Sequence, residues 1–282
     1  MLASGGPVVA PGAYDALSAR LIEEAGFQAV YMTGFGTAAS LLGRPDIGLL
    51  GGSEMVDNAR RIAGSVSVPV IADADTGYGN PINVIRTVRE FERSGVAGVH
   101  LEDQVMPKRC GHLSGKVLVP VGEMTAKIRA AVAARTDPDF VIVARTDARA
   151  VEGLGAALER AGRYLDAGAD VLFVEAPETE EEISEVARVF AGVPLLFNWA
   201  EGGRTPPVSL ARLGELGYRI VIFPIGVLLS AATAARSFLA TLRQEGTPSA
   251  LLPGLPTIAE FVDALGMDEI RELENRFTDP PD

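Results

Sequence analysis

The feature that most restricts the fold is an eightfold repetition of a short apolar run, a polar or glycine-rich corner and a helical stretch. The runs are rich in β-branched residues, as is typical of parallel strands buried on both faces. They are Pro7–Ala10, Gln28–Thr33, Val68–Ala72, Val96–Leu101, Phe140–Ala144, Asp170–Val174, Pro194–Phe197 and Arg219–Phe223. No domain-sized break interrupts the series. The pattern therefore predicts an α/β fold of the closed (β/α)8, or TIM-barrel, type.

Polar residues at the ends of the runs favour this barrel over its main alternative, an open doubly wound sheet. They are Thr33, Asp73, Asp75, Glu102, Arg145, Glu175 and Asn198. In a barrel, the C-terminal strand ends converge on one mouth, where barrel enzymes carry out their chemistry. We predict a single domain over residues 1–282, with 247–282 as a helical tail outside the repeat. The tail holds a proline-rich turn and one amphipathic helix, Ile258–Phe277, which would pack under the barrel or against another subunit.

Composition narrows the range of partners. A net charge of −12 over 282 residues argues against binding to nucleic acid or to an anionic membrane surface. The sequence has no uninterrupted apolar run near 18 residues and no basic segment followed by an apolar one at its start, so we expect neither a membrane span nor a signal peptide. A single cysteine excludes an internal disulfide and suits a reducing, cytoplasmic location.

Three carboxylates form a candidate metal site. Asp73 and Asp75 are two residues apart, so on an extended strand end both would point to one side. With Glu102 on the next strand they would make an oxygen-rich cluster suited to Mg²⁺. The chain has only two histidines, which excludes a multi-histidine site. The alternative is that one aspartate caps the following helix, but Asn80, directly before a proline, is the better cap.

The only cysteine, Cys110, lies in a basic, glycine-containing loop with the sequence KRCGH. Lys108, Arg109 and Lys116 would surround the thiol with positive charge, which would favour the thiolate and attract anionic substrates. The alternative is a solvated surface loop with an incidental cysteine.

Two further features indicate anion binding. Arg145 ends a buried strand, so it requires a carboxylate or phosphate partner, either a substrate or an internal partner such as Glu102 or Glu175. The run Thr33–Ala39 matches a dinucleotide fingerprint only weakly. We interpret it as a cradle of backbone amides for a carboxylate.

Together these motifs resemble the isocitrate lyase/phosphoenolpyruvate mutase superfamily over nearly the whole chain. The matching segments are PGAYDALSARLIEEAGF, YMTGFGTAASLLGRPDIG, DADTGYG, HLEDQVMPKRCGH, VARTDAR and FNWAEGGRTP. The short-chain branch includes methylisocitrate lyase, 2,3-dimethylmalate lyase, oxaloacetate hydrolase-like proteins and carboxyphosphonoenolpyruvate mutase. The resemblance implies a homotetramer or dimer of dimers that exchanges the helix after the eighth strand.

The resemblance also implies a cofactor and a way of binding substrate. Mg²⁺, or Mn²⁺ in its place, would be held by Asp73 and Asp75 directly and by Glu102 and Asp46 through water. A small carboxylate substrate would chelate the metal. Its further contacts would come from Thr33, Gly34, Phe35, Gly111, Arg145, Glu175 and Asn198.

Catalytic roles follow from the same resemblance. Arg145 would stabilise a developing enolate oxygen, and Tyr31 would lie beside the reacting atoms. Cys110, delivered when its loop closes, would protonate the carbanion of the departing fragment. His112 would orient that loop or the second carboxylate, and Glu102 would complete the catalytic set.

Two departures from the family bear on the substrate. Leu229 stands where isocitrate and methylisocitrate lyases carry an arginine for the distal carboxylate, and Trp199 and Ala200 replace a Met-Val pair. Both changes disfavour a tricarboxylate. We predict a Mg²⁺-dependent carbon–carbon lyase that cleaves a small 2-hydroxy dicarboxylate, of alkylmalate or methylisocitrate type, to a 2-oxo acid and a carboxylate. The alternatives are a carboxyphosphonoenolpyruvate phosphonomutase, an oxaloacetate hydrolase or decarboxylase, and a barrel retained only for binding.

Overall fold

The computed structural model of the protein describes residues 5–278, in which eight parallel strands close into a barrel in sequence order. The strands are β1 (Val8–Ala13), β2 (Val30–Met32), β3 (Val70–Asp73), β4 (Gly98–Glu102), β5 (Val141–Thr146), β6 (Val171–Val174), β7 (Leu195–Asn198) and β8 (Tyr218–Phe223). Closure is made by β1 against β8, where Val8 is in register with Ile220. The predicted TIM barrel is confirmed.

Helices alternate with the strands. They are α1 (Ala16–Glu24), α2 (Gly34–Leu42), α3 (Gly52–Ala63), α4 (Pro81–Arg93), α5 (Val121–Ala134), α6 (Arg149–Glu152), α7 (Leu154–Asp166), α8 (Glu180–Val189), α9 (Leu210–Leu216), α10 (Gly226–Glu245), α11 (Ile258–Ala264) and α12 (Met267–Phe277). The α2 helix lies where the sequence predicted only a glycine-rich corner. The Thr33 side chain caps it by accepting a hydrogen bond from the Gly36 amide at 3.2 Å.

The barrel interior changes from apolar to charged along each strand. Because side chains alternate between the two faces of a strand, every second residue points inward. Lower inward positions such as Ile71 and Val143 form an apolar core within the barrel. Asp73 and Arg145, the next inward positions, follow two residues further along the same strands, and both are buried. The alternation therefore concentrates charge at the C-terminal mouth.

The chain divides into two compact units, Met1–Leu229 and Ser230–Asp282. The first contains the barrel, and the boundary falls inside α10. The division of the chain into domains stays a prediction. The single helix predicted over Ile258–Phe277 is wrong, because Gly266 adopts a left-handed conformation (φ 91°) between α11 and α12.

One segment of the second unit, Ser249–Phe277, is long and apolar enough by length and composition to cross a membrane. In the structure, however, it is divided into a 3₁₀ turn and two helices, of which the longer has 11 residues. A spanning helix needs about 20, and breaks in lipid leave backbone polar groups unsatisfied. We therefore do not interpret this segment as a membrane span.

The second unit exposes several large apolar side chains. They include Leu239, Leu252, Ile258, Ile270 and Phe277. An apolar surface of this kind is typical of a face covered by another protein chain. The homotetramer stays a prediction.

Candidate active site

A pocket of about 170 Å³ opens at the C-terminal mouth of the barrel. The sequence-predicted site residues that line it are Tyr31, Thr33, Phe35, Asp46, Asp73, Cys110, Gly111, His112, Arg145, Glu175 and Asn198. The other three, Gly34, Asp75 and Glu102, lie behind this lining, against Asp73, Lys108 and Arg145 respectively. Residues up to 167 positions apart in the chain, with Tyr31 and Asn198 at the extremes, are therefore brought to one mouth. The roles assigned to them stay predictions.

The Lys108 ammonium lies among the carboxylates of the predicted metal site. Its Nζ is 2.7 Å from the Asp46 carboxylate and 2.7 Å from Asp75 Oδ1. All three side chains are buried. Burial alone would lower the pKa of Lys108, but the surrounding carboxylates, Asp75 foremost, raise it well above its usual range. The lysine therefore stays charged and balances the acidic cluster.

Asp73 and Asp75 share the rim for a different reason from the one predicted. Strand β3 ends at Asp73, and Asp75 has a positive φ of 47°, so the two do not lie on one extended segment. A turn brings the Asp75 amide within 2.9 Å of Asp73 Oδ1, to which it donates. Tyr78, also at positive φ, donates its hydroxyl to Asp75 Oδ2 at 2.8 Å. Tyr78 thus orients a predicted metal ligand, a contact that no sequence motif indicated.

The carboxylates fit a hard divalent cation by their chemistry and by one buried oxygen without a hydrogen-bond donor. Within residues 5–278, no three or more His, Cys, Asp or Glu side chains are already arranged as a metal-binding group. However, the buried Glu102 Oε1 accepts no hydrogen bond from the described residues, whereas Glu102 Oε2 and Asp75 Oδ1 face the cations of Arg145 and Lys108. Such oxygens are costly to bury unless a cation or ordered water meets them. Burial raises the pKa of Glu102 well above its usual range.

Arg145 is held by carboxylates on three sides. Its Nε and Nη2 donate to Asp147 at 3.0 and 3.1 Å, and Nη1 lies 3.2 Å from Glu102 Oε2. Glu175 is 3.6 Å from Nη2, and the guanidinium carbon stacks over Phe173 at 5.2 Å. The predicted partners Glu102 and Glu175 are therefore both present. Asp147, which was not predicted as a partner, makes the most direct contacts.

The predicted cradle of backbone amides is the first turn of α2. The amides of Gly34 and Phe35 occupy the first two helical positions, where a helix offers no internal acceptor. The Thr33 amide instead donates to the Ala13 carbonyl at 3.1 Å, which removes it from the predicted cradle. A Cβ on Gly34 would overlap the Asp73 carboxylate, so this glycine allows α2 to approach the acidic cluster.

The Tyr31 side chain contacts a fully buried histidine, His100, beneath the pocket. Its hydroxyl is 2.9 Å from His100 Nε2, and that nitrogen is also 3.5 Å from Asp73 Oδ1. Burial lowers the pKa of His100 and raises that of Tyr31 well above its usual range. Both are therefore neutral near pH 7. His100 was not among the predicted site residues, although the period-two pattern of β4 places it two residues before Glu102.

The segment 105–117, here called the lid, carries the cysteine over the pocket. A short antiparallel neck joins its two ends: Gln104 pairs with Leu118, and the Val105 amide donates to Val117 at 2.7 Å. Gln104 also exchanges two side-chain hydrogen bonds with the Arg109 backbone, at 2.8 and 2.9 Å. The Cys110 amide donates to the Asp46 carbonyl at 3.2 Å. These bonds place the thiol at the acidic rim.

The predicted thiolate is wrong. Burial, with further contributions from Asp46 and Glu175, raises the pKa of Cys110 to about 11. The basic neighbours do not lower it because each is engaged elsewhere: Lys108 with Asp46, Arg109 with the Ser114 carbonyl and Lys116 with Asp147. At neutral pH, Cys110 is therefore a thiol, which can donate a proton.

This pKa leads to a prediction for chemical labelling. Only the thiolate reacts with iodoacetamide, so the rate for the native protein should rise with pH toward a midpoint of about 11. In urea the midpoint should fall to the ordinary value of about 8.5, and at pH 8 the unfolded chain should then react about a hundredfold faster. Mass spectrometry of this single-cysteine protein follows the reaction. A native midpoint at or below the unfolded one would contradict the buried thiol.

Glu175 connects the lid to the loop after β7. The Asn198 amide donates to both Glu175 oxygens at 3.2 Å, and His112 Nε2 lies 3.6 Å from Glu175 Oε1. The other ring nitrogen of His112 accepts from the Arg204 amide at 3.2 Å. His112 therefore bridges the lid to both the Glu175 carboxylate and the 199–204 loop.

Gly111 is where the lid approaches Glu175, and a Cβ there would overlap the carboxylate. We expect Gly111→Ala to hold the lid away from the pocket, to lower kcat by about a hundredfold and to speed Cys110 alkylation. Gly122→Ala is the matched control, since a Cβ at Gly122 meets nothing within 4 Å. Equal alkylation rates in the two variants would show that this close approach is unimportant.

Two residues singled out by the sequence are not part of the pocket wall. Trp199 stacks on Phe223 with ring centroids 5.4 Å apart and donates to the Val208 carbonyl, so it packs the loop after β7. Leu229 is 45% exposed and does not line the pocket. Ala200, by contrast, does line it. Leu113 and Ile225 are further apolar residues of the pocket lining.

Sequence comparison relates the chain to known enzymes along almost all of its length. A family model described as phosphoenolpyruvate phosphomutase matches residues 1–243. The 2,3-dimethylmalate lyase of Eubacterium barkeri is 50% identical over 270 residues, covering 96% of this chain and 93% of that protein. The 2-methylisocitrate lyase of Aeropyrum pernix is 48% identical over 267 residues, covering 95% and 85%.

Structural comparison leads to the same group of enzymes. Oxaloacetate acetylhydrolase in complex with the inhibitor 3,3-difluorooxalacetate has a TM-score of 0.92 at 42% identity, covering 97% of this chain and 93% of that one. Phosphonopyruvate hydrolase in complex with oxalate and Mg²⁺ has a TM-score of 0.90 at 34% identity, covering 99% and 96%.

Proposed function

This chain belongs to the phosphoenolpyruvate mutase/isocitrate lyase superfamily, and on that premise we propose that it is a Mg²⁺-dependent carbon–carbon lyase. Its substrate would be a small 2-hydroxy dicarboxylate of the alkylmalate type. The products would be a 2-oxo acid, such as pyruvate, and a second carboxylate. The similarity to 2,3-dimethylmalate lyase and 2-methylisocitrate lyase supports the reaction class.

One observation carries the proposal: a neutral thiol and a buried arginine line the same pocket. Breaking a carbon–carbon bond in a 2-hydroxy dicarboxylate requires stabilisation of negative charge and a proton for the carbon that leaves. Arg145 supplies a buried cation. Cys110 supplies the proton, because burial raises its pKa to about 11.

The pocket suits a small acid better than a tricarboxylate. Arg145 is the only Lys or Arg side chain that lines it within the described residues. Glu201, which also lines the pocket, accepts hydrogen bonds from the backbone amides of Ile225 and Gly226 at 3.0 and 2.8 Å. A third carboxylate would therefore find no Lys or Arg in the described lining other than Arg145. The apolar lining residues Leu113, Ala200 and Ile225 suit an alkyl substituent.

The residues that would hold Mg²⁺ are Asp73 and Asp75, with Asp46 and Glu102 acting through water. A bound divalent cation polarises the oxygens that coordinate it and offsets negative charge that develops on them. Support for this metal comes from the buried Glu102 Oε1, which accepts no hydrogen bond from the described residues, and from the similarity to a hydrolase solved with oxalate and Mg²⁺.

The chain's own groups account for the proton balance. The C2 hydroxyl loses its proton to one of the carboxylates that line the pocket, Asp46, Asp73 or Glu175. The C2–C3 bond then breaks, C2 becomes the ketone of the 2-oxo acid, and the electron pair stays on C3. Cys110 Sγ protonates C3. Arg145 stabilises the negative charge on the oxygens, and the amides of Gly34 and Phe35 bind a carboxylate.

The test is a substrate panel. We expect release of a 2-oxo acid from 2,3-dimethylmalate and other alkylmalates in the presence of Mg²⁺, and loss of this activity on addition of EDTA with recovery on adding Mg²⁺ back. Methylisocitrate should be cleaved more slowly, since its third carboxylate has no cation to meet. Oxaloacetate and a carboxyphosphonate complete the panel. Activity on either of these with none on any 2-hydroxy acid would overturn the lyase proposal.

A further inference from the structure

Lys116 is a buried cation on the lid that the proposed reaction does not use. The sequence contains three lysines, Lys108, Lys116 and Lys127, and all three are buried. The Lys116 side chain is 1% exposed. Its Nζ donates to the carbonyl of Gly111, directly after the cysteine, and to Asp147 Oδ1 at 3.0 Å. Lys116 therefore joins the lid to the end of strand β5.

The carboxylate that receives Lys116 is the one that holds Arg145. Asp147 accepts from Arg145 Nε and Nη2 at 3.0 and 3.1 Å, and its Oδ1 is shared with Lys116. The Asp147 backbone is itself fixed, because its amide donates to Asp103 Oδ1 at 2.9 Å. Asp103 is in turn bound by the Thr146 and Tyr164 hydroxyls at 2.7 and 2.8 Å. The anchor beneath the lid is therefore rigid.

The pairing of these charges requires the lid to be in place. The Asp147 and Lys116 side chains are both buried, so neither charge is solvated while the two are paired. If the lid lifted, Asp147 would lose one of its two cations, and Arg145 would keep a partner that is no longer shared. Removing one member of a buried charged cluster is strongly destabilising. An ammonium has three donors and can therefore meet a carbonyl and a carboxylate together.

We propose that Lys116 is a positioning residue that latches the lid over the pocket and, through Asp147, couples lid closure to the orientation of Arg145. Proton donor and oxyanion-stabilising cation are then brought into place by one movement. The catalytic consequence rests on the proposed function. The latch itself can be measured without any substrate, because Cys110 is the only thiol of the chain.

The experiment measures the rate constant for alkylation of Cys110 by iodoacetamide at fixed pH. The variants are Lys116→Met, Asp147→Asn and the double substitution. Lys127→Met is the matched control, because Lys127 is an equally buried lysine whose Nζ donates to the Thr76 carbonyl, outside the lid. Circular dichroism and thermal unfolding verify that each variant is folded. Lys116→Gln replaces Lys116→Met if the latter does not fold.

We expect Lys116→Met to react about tenfold faster or more, and Lys127→Met within about twofold of the unchanged protein. Asp147→Asn should also react faster, and the double variant should match the faster single one, because both changes break the same contact. With a cleaved alkylmalate, Lys116→Met should lower kcat far more than it raises KM. An alkylation rate for Lys116→Met equal to that of the control would overturn the latch. Additive effects in the double variant would overturn the route through Asp147.

Failure of the latch and failure of the proposed function are distinguishable. The alkylation rates test the lid in the free protein. If no substrate of the panel released a 2-oxo acid, the lyase proposal would be contradicted, but the alkylation rates would be unaffected.

Discussion

Cys110→Ser is expected to lower kcat for alkylmalate cleavage by about a thousandfold, within the range of about 10²–10⁴ for loss of a general acid. A serine hydroxyl is a far weaker acid than a thiol, even one whose pKa burial has raised to about 11. The lid should still close over the pocket, because its contacts are made by the backbone of residue 110 and by neighbouring residues, including Gly111 and His112. Stopped-flow measurement of 2-oxo acid release gives kcat directly.

The controls for this substitution separate chemistry from binding. Cys110→Ala should lose activity to the same extent, since neither side chain can supply the proton. Binding of oxalate with Mg²⁺, measured by calorimetry, should stay within about threefold of the unchanged protein. If Cys110→Ser retains kcat within about tenfold, another group protonates the leaving carbon and the assigned role of the thiol is incorrect.

The second large effect is expected at Arg145. Arg145→Lys keeps the charge but loses the fork that contacts Asp147 through two nitrogens and approaches Glu102 with a third. We expect kcat to fall by about 10²–10³, the usual cost of removing one preorganised oxyanion donor, with a smaller change in KM. Steady-state kinetics over the same alkylmalate panel measure both constants.

Arg149→Lys is the matched control for the arginine substitution. Arg149 also pairs with two carboxylates, Glu178 and Glu182, but it lies outside the pocket lining. It should keep kcat within about twofold of the unchanged protein. Equal losses in the two variants would mean that Arg145 acts only through stability. Thermal unfolding should therefore accompany the kinetics, since a lysine leaves part of a buried carboxylate cluster unpaired.

The barrel could be predicted from the sequence because its signal is local. Each strand is a short β-branched run, and each is followed by a helix, so eight repeats of one pattern leave few topologies. The helix α2 could not be recognised from the same pattern because its first turn, rich in glycine, has the composition of a loop. The break at Gly266 was missed for the opposite reason: the apolar pattern continues across it.

Most of the candidate site could also be predicted, because strand ends converge in a barrel and period-two alternation identifies the inward residues. Asp73, Arg145 and Glu175 were found in this way. The charge state of Cys110 could not be predicted. Its basic neighbours are adjacent in sequence, yet two of them, Lys108 and Lys116, face carboxylates from distant segments, and burial dominates what remains.

By itself, then, the sequence determined the barrel, the mouth at which its polar residues meet and the family to which it belongs, because these depend on short-range patterns and on motifs. Only the tertiary structure decided which charges are paired. It placed Lys108 with Asp46, Lys116 with Asp147 and His100 under Tyr31. Such pairings join residues dozens of positions apart, and their strength depends on burial, which no local pattern records.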